Sequence, residues 1–350
     1  MDNTTDMLRD TATKLFAEYT TATALREAEQ GVWPAKAWAA VAEAGLHRAL
    51  VDEDAGGYGL AVADSLSLLR VAGEFALPLP LAETMLAGWL LAGARVAIPD
   101  GPLTVAPVAG EGLAMTRDGS GWRLRGSAAR VPWGRDAVGA AVLAEAEGTP
   151  MIALVPATAW RAEPGENIAR EPRDTLHIDA VLASDAVGPA RVGPARLRAA
   201  GAAMRAMQIS GALARITAMT TQYAIDRVQF GRAIGKFQAV QQNLAIMAGQ
   251  TAAAMAAADV AAEAFAENMR ILPIAAGKSR AGEAAGIAAA HAHQIHGAIG
   301  FTYEHSLHFY TKRLWAWRDE FGNEAEWNLL LGRHMAKAGA DDLWAELTAA

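Results

Sequence analysis

Two long stretches in the second half of the chain constrain its fold most, because apolar residues recur in them at helical spacing. Their apolar positions step by three or four residues: Ile209, Leu213, Ile216, Met219 and Tyr223, then Val240, Leu244, Met247, Thr251, Met255, Ala258, Ala262 and Phe265. Residues at such a spacing lie in one apolar stripe along a helix, and the stripe is buried against other helices. With further helical patterns over 273–296, 303–317 and 323–337, residues 196–350 are predicted to form a four-helix bundle with a terminal helix.

The region before these stretches has a different texture. Short runs punctuated by Gly, Pro and Asp indicate strands rather than helices between residues 103 and 195. Residues 113–117 and 122–125 flank Asp118-Gly119-Ser120-Gly121, which predicts a hairpin with a four-residue turn. Further strands are indicated at 138–143 and 151–155. We therefore expect a small middle β-sandwich or barrel domain.

The first part of the chain is helical in pattern. Apolar residues between Met7 and Gly45 fall at three- and four-residue spacings, and Pro78 and Pro80 divide the later apolar stretch into two helices. The expected fold class is thus α+β multidomain. Its parts are an N-terminal all-α domain (1–102), the middle β domain (103–195) and the C-terminal bundle (196–350).

Composition excludes several classes of function. The 350 residues carry a formal net charge of −7, which provides no broad electrostatic footprint for nucleic acid. The absence of cysteine rules out disulfides and thiolate metal sites. The N-terminus is acidic and polar, and the longest apolar run, from Met85 to Ala94, is shorter than a membrane-spanning helix. We expect a cytoplasmic protein without a membrane segment.

Two motifs suggest phosphate recognition. Residues 227–238 read Arg-x-Gln-Phe-Gly-Arg-x-Ile-Gly-x-Phe-Gln, and residues 294–302 read Gln-Ile-His-Gly-Ala-Ile-Gly-Phe-Thr. An arginine fork grips a pyrophosphate well, and glycines let backbone N–H groups approach phosphate oxygens. Taken alone, Arg227 would more often be a solvated cation and Gly297 a helix C-cap. Their occurrence together favours a binding function.

The two motifs closely resemble those of the acyl-CoA dehydrogenase family. In that family both lie at a subunit interface and contact the FAD of a neighbouring subunit. The resemblance extends over the whole chain, is strongest from Arg227 to Gly300, and implies the three-part fold expected above. It also implies this cofactor-contacting set: Arg227, Gln229, Phe230, Phe237, Gln238, Gln294, Gly297 and Ala298.

The family's catalytic base is missing from this pattern. A glutamate there removes the proton α to the thioester carbonyl while a hydride leaves for the flavin. Its two known positions fall on Phe321 and Gly201, and the nearest carboxylate is Glu320, one residue off. The flavin-contacting Trp-x-Thr segment is replaced by Arg130-Val131-Pro132, and a second flavin loop is represented at best by 106–112.

The parts of the family pattern that this chain retains are therefore the ones with which a subunit contacts its neighbour's FAD. The chain resembles the base-lacking subunit of heteromeric bacterial acyl-CoA dehydrogenases. The resemblance implies FAD-dependent α,β-desaturation of an acyl-CoA, a homo- or hetero-oligomer (dimer or tetramer), and an electron-transfer flavoprotein or similar acceptor. A flavin-dependent monooxygenase of the same fold and a non-catalytic structural subunit remain as alternatives. If the chain acts alone, Glu320 is the candidate base.

Other clusters have simpler interpretations. No metal site is predicted, because these side chains point around different helix faces: His291, His293, His296, Glu304, His305 and His308. An aromatic group is expected to serve packing rather than an acyl pocket: Phe309, Tyr310, Trp315, Trp317 and Phe321. Lys312 and Arg313 are expected to be solvated or interfacial cations.

Overall fold

The computed structural model describes residues 3–108, 113–267, 269–342 and 344–345, so part of the 106–112 flavin-loop counterpart lies outside the described residues. The helices are α1 (Asn3–Tyr19), α2 (Ala22–Glu29), α3 (Ala35–Glu43), α4 (Val62–Glu74), α5 (Leu81–Gly93), α6 (Pro194–Asp226), α7 (Gln238–Ala266), α8 (Ile271–His296), α9 (Leu307–Asp319) and α10 (Glu324–Ala338). The strands are β1 (Leu103–Ala106), β2 (Ala114–Asp118), β3 (Gly121–Pro132), β4 (Gly139–Ala146), β5 (Thr149–Pro156), β6 (Trp160–Glu163), β7 (Arg173–Leu182), β8 (Val187–Pro189), β9 (Val228–Gln229) and β10 (Arg232–Ala233).

The chain divides into two compact units. The first comprises residues up to Leu68 together with Pro78–Ala200, and the second comprises Leu69–Leu77 and Gly201–Ala350. The division passes through α4 and α6, whereas the sequence pattern placed boundaries at 102 and 195.

Helices α1 to α3 and α5 of the first unit form where the apolar periodicity predicts them. Pro34 is the N-cap of α3, and Gly45, with φ +66°, follows the end of that helix in the left-handed conformation that glycine adopts without strain. Residues 78 and 80, both proline, lie between α4 and α5. The predicted helical N-terminal region is confirmed.

The strands β1 to β8 form one mixed sheet in the same unit. The order is β6-β7-β3-β2-β4-β5-β8, and β1 pairs with β4 in parallel. Inward side chains from β1 to β5, β7 and β8 pack into one apolar cluster, so this sheet encloses the core of a small β domain. The predicted hairpin is present, but Asp118 pairs with Gly121, so its loop has two residues rather than four. Gly119, with φ +59°, supplies the left-handed residue that such a short turn needs.

The second unit contains the predicted bundle. Side-chain bonds connect its helices in a ring: Thr217 of α6 with Thr251 of α7 (2.8 Å), Arg280 of α8 with Gln250 of α7, His293 of α8 with Thr311 of α9 (3.0 Å), and Glu320 after α9 with Arg205 of α6 (2.8 Å). α10 packs on α8, where Ser279 bonds Asn328 at 2.6 Å. Small residues let the helices approach, since a Cβ on Gly277 would lie 2.5 Å from the Ala257 carbonyl.

Helix α7 passes a length-and-composition test for a membrane span. Its mean hydropathy over the best window is 1.4, and 28% of that window is buried. Alanine-rich helices of bundles pass the same test, and the C-terminal half of α7 does bury Ala258, Ala262 and Phe265. The helix is therefore only weak evidence of a membrane span.

Candidate functional site

The first motif forms a short hairpin between α6 and α7. β9 and β10 pair antiparallel, and Phe230 (φ +52°) and Gly231 (φ +75°) form the turn between them. A 3-10 turn, Ile234–Lys236, then leads from the hairpin into α7. Arg227 and Gln229 are exposed, and Phe230 is 93% exposed. Phe237 is half-buried and lies under the Arg232 guanidinium, 4.2 Å from the ring centroid.

The second motif begins where α8 ends. Gly297 has φ +64° and ψ −144°, a conformation that side chains rarely adopt, and nothing lies within 4 Å of the position of its missing Cβ. The residues Gly297–Phe301 form a 3-10 turn. Gln294, Gly297 and Ala298 are exposed, so the backbone of this turn can be approached closely from solvent.

The structure brings the two motifs to the same end of the bundle. Tyr223, three residues before the end of α6, stacks on His296, the last residue of α8, with ring centroids 4.4 Å apart. Its hydroxyl also lies 3.4 Å from the His296 carbonyl oxygen. Segments separated by about 70 residues of chain thus present one exposed surface.

A cavity of about 350 Å³ opens beside the second motif. Its walls are Ala290, His293, Gln294, Gly297, Phe301 and Trp315. The His293 ring stacks on Phe301 (4.3 Å) and faces Trp315 (5.7 Å), which gives the cavity flat aromatic sides. A planar heteroaromatic group fits such a lining better than an aliphatic chain does.

The histidines beneath this turn are held neutral. Burial lowers the pKa of His293, His296 and His305 below the ordinary value, and neighbouring histidines lower it further for the first two. His296 Nδ1 donates to the Ala292 carbonyl at 2.8 Å, so its Nε2 is the unprotonated nitrogen. Within the described ranges no group of three or more His, Cys, Asp or Glu side chains can hold a metal ion.

The two positions of the family's base meet in this chain. A Cβ on Gly201 would lie only 2.2 to 2.4 Å from ring atoms of Phe321, so the Phe321 ring occupies the space where a residue-201 side chain would project. Phe321 is 8% exposed and has φ +55°. The Phe321 ring thus packs in the space beside Gly201, which is an apolar contact. Neither position carries a group that can accept a proton.

Glu320, the candidate base, is paired instead. Its Oε2 accepts from Arg205 Nε at 2.8 Å, and the two side chains are 16% and 2% exposed respectively. Arg205 Nη1 also donates to Gln208 Oε1, at 2.5 Å. A carboxylate that neutralises a buried guanidinium is a weak proton acceptor, because protonation would leave that charge unpaired. Glu320 stays a prediction as a base.

The residues that the family resemblance assigns to FAD differ in how well they fit a dinucleotide. One group offers an exposed cation, exposed amides and an open cavity, which fit such a ligand: Arg227, Gln229, Phe230, Gln294, Gly297 and Ala298. The chain's own flavin segment fits less well. Val131 is 0% exposed, Pro132 has no N–H, and Arg130 occupies a bulge with φ +54°.

Three buried cations were missed or misplaced by the sequence pattern. Arg313 is 1% exposed and donates to the Phe309 carbonyl, so the expectation of a solvated or interfacial cation is wrong. Arg205 and Lys278 were not singled out at all. Lys278 interrupts an apolar stripe formed with Ile274, Ala281 and Ala285, which was the signal available in the sequence. The predicted packing role of Phe309, Tyr310 and Trp317 is consistent with their burial.

Comparison with known proteins defines the class. The chain matches the acyl-CoA dehydrogenase N-terminal domain over residues 2–93 and the acyl-CoA dehydrogenase C-terminal domain over residues 198–318. It is 31% identical over 314 residues to acyl-CoA dehydrogenase IpdE2 of Mycobacterium tuberculosis, covering 88% of this chain and 89% of that protein. The chain belongs to the acyl-CoA dehydrogenase family, a family of flavoprotein oxidoreductases.

Solved structures agree in fold over nearly the whole chain. The Tcur3481-Tcur3483 steroid ACAD G363A variant is 28% identical with a TM-score of 0.83 and 99% of both chains covered. The ChsE4-ChsE5 complex from Mycobacterium tuberculosis is 24% identical with a TM-score of 0.85, covering 97% of this chain and 99% of that one. The expected α, β and helical-bundle architecture is confirmed.

Proposed function

We propose that this chain is the base-lacking subunit of a hetero-oligomeric acyl-CoA dehydrogenase, and that it completes the FAD site of a partner subunit. The observation that carries the proposal is the packing of Phe321 on Gly201, which fills both base positions with apolar atoms. The exposure of the cofactor-contacting set supports the second part, because residues that serve a neighbour must face outward.

Each part of the chain has a defined role in this proposal. When bound, FAD would supply the acceptor for the hydride that leaves the β-carbon of the acyl-CoA. Arg227 would offer a fork of donors to the pyrophosphate, the exposed backbone at Gly297 would be open to it, and the cavity beside Gln294 would hold a planar ring. The α-proton is removed by a carboxylate of the partner, since the base positions of this chain hold none.

The surface around the motifs suits a subunit interface. Val228, Phe230, Phe301 and Tyr303 are 57%, 93%, 70% and 68% exposed, so both motifs carry large apolar side chains in solvent. Soluble monomers rarely expose several such residues together unless another protein covers them. The partner we infer is a second acyl-CoA dehydrogenase subunit that carries the glutamate.

The relatives favour a particular substrate class. One similar structure is that of a steroid ACAD variant, and another is that of the ChsE4-ChsE5 complex. We infer a steroid-derived acyl-CoA as substrate, with an electron-transfer flavoprotein or similar acceptor reoxidising the flavin. A cytoplasmic location stays a prediction.

The test is a co-purified complex with a glutamate-bearing partner. Arg227→Ala in this chain should lower both the FAD retained on gel filtration and the acyl-CoA-dependent reduction of an electron-accepting dye. The matched control is Arg333→Ala, which removes an exposed cation from α10. Glu320→Gln should leave turnover within about twofold of the wild-type complex, because a residue outside the chemistry contributes little to kcat.

Two outcomes would contradict the proposal. Unchanged FAD retention in the Arg227→Ala complex would show that this chain does not complete the cofactor site. Loss of turnover in the Glu320→Gln complex, with FAD and assembly intact, would identify Glu320 as the base and make the chain self-sufficient.

A further inference from the structure

A fully buried lysine lies in the apolar stripe of α8. Lys278 is 1% exposed, and Ile274, Ala281 and Ala285 on the same stripe are 0% exposed. A lysine in such surroundings is costly unless its amine finds hydrogen-bond acceptors. Its two acceptors therefore show which element the lysine serves.

Both acceptors belong to the segment that carries Glu320 and Phe321. Lys278 Nζ donates to the Arg318 carbonyl at 2.6 Å and to the Gly322 carbonyl at 2.8 Å. These two carbonyls bracket residues 319–321, so one amine spans the whole turn between α9 and α10. We refer to residues 318–322 as the 318–322 turn.

The turn needs such support, because its conformation is strained. Phe321 has φ +55°, a conformation that is unfavourable for a bulky residue and persists only where surrounding contacts impose it. Arg318 reaches Glu324 across the turn through two bonds of 3.0 Å, and Glu320 is paired with Arg205. Side-chain bonds thus hold Arg318 at the start of the turn and Glu320 at its middle, while Lys278 bonds to its backbone.

We propose that Lys278 is a positioning residue, which fixes the 318–322 turn and so holds the Phe321 ring against Gly201. The inference concerns contacts inside one chain, and it stands whether or not the chain completes a partner's FAD site.

The charge state of Lys278 makes this role depend on pH. The pKa of Lys278 is lowered from its ordinary value to about 7: burial is the main cause and Arg205 adds to it, whereas Glu324, Glu320 and Asp319 oppose the shift. A neutral amine has two N–H groups, which match the two carbonyls. The third N–H of the ammonium form has no acceptor in the described part of the chain. Because burial disfavours the charged form, protonation of Lys278 favours opening of the turn to let water reach the amine, so the turn should open least above neutral pH.

The experiment is hydrogen exchange of the folded chain, followed by mass spectrometry of peptides that contain residues 318–323. Lys278→Met keeps a side chain of similar length without donors, and should speed exchange in those peptides about tenfold or more, because two hydrogen bonds are lost. Lys337→Met, an exposed lysine on α10, is the matched control and should change nothing there.

Two further measurements separate positioning from general stability. Peptides of β3 and β7 should exchange at the wild-type rate in Lys278→Met. In the wild type, exchange of the 318–322 turn, corrected for intrinsic rates, should increase as pH falls through about 7, and Lys278→Met should lose this dependence.

The proposal would be overturned if the 318–322 turn of Lys278→Met exchanged at the wild-type rate, or if exchange became faster evenly over the whole chain. If Lys278→Met does not fold, Lys278→Arg takes its place, and exchange of residues 318–323 at the wild-type rate in that variant overturns the proposal. Lys278→Arg, which keeps donors but never loses its charge, should show partial protection without the pH dependence.

Discussion

The contact between Phe321 and Gly201 allows a quantitative prediction of how substitutions at the two positions change the free energy of unfolding. Gly201 lies inside α6, and a Cβ there would sit 2.2 Å from the Phe321 ring. Gly201→Ala should therefore destabilise the wild-type chain by about 1–3 kcal/mol through overpacking. When Phe321 is first changed to alanine the clash disappears, and the same substitution should stabilise the chain by about 1 kcal/mol through helix propensity.

The sign reversal corresponds to a coupling energy of about 2–4 kcal/mol between the two positions. The assay is urea denaturation of the two single variants, the double variant and the wild type, followed by circular dichroism. Gly249→Ala on α7, where nothing lies within 4 Å of the added Cβ, is the matched control and should stabilise both backgrounds equally. Additive effects of Gly201→Ala and Phe321→Ala would refute the packing described here.

Three further predictions concern buried charges. Glu320→Gln should destabilise the chain by about 1–3 kcal/mol, measured by urea denaturation, because Arg205 keeps its buried charge with a weaker acceptor; no loss would show that the pair is not formed. Between pH 7 and 10.5 the unfolded chain holds a proton on Lys278 that the folded chain lacks. The free energy of unfolding should therefore increase by up to about 5 kcal/mol between pH 7 and 10.5. In Lys278→Met, denaturation measured across this pH range should show a smaller increase. Because burial lowers the pKa of His296, stability should fall as pH drops below 6.5, and an equally steep fall in His296→Gln would contradict this assignment.

Local patterns in the sequence predicted much of the fold. The apolar stripe from Ile209 to Tyr223 corresponds to α6, and the prolines at 78 and 80 do separate two helices. These features are local, because helical periodicity and proline geometry act within a few residues. The Phe230-Gly231 hairpin was missed because two-residue strands leave no periodic signal.

The candidate site was predictable only in part. Motif resemblance indicated Arg227 and Gly297, and counting along the chain placed Phe321 and Gly201 at the base positions. Neither the motifs nor the counting indicated that Phe321 and Gly201 touch, because these residues are about 120 positions apart in sequence and meet only through bundle packing. The buried position of Arg313 was likewise invisible, since a single cation does not reveal which helix face is covered.

The flavin content of the chain, measured alone and in a complex, is the direct test of whether this chain completes the FAD site of a partner subunit. Purified alone, the chain should carry little FAD by absorbance. Co-purified with a glutamate-bearing partner, it should give roughly one FAD for every two chains, as expected when each pair of subunits forms one complete site. One FAD per chain in a homo-oligomer of this protein, with acyl-CoA-dependent dye reduction, would contradict the claim.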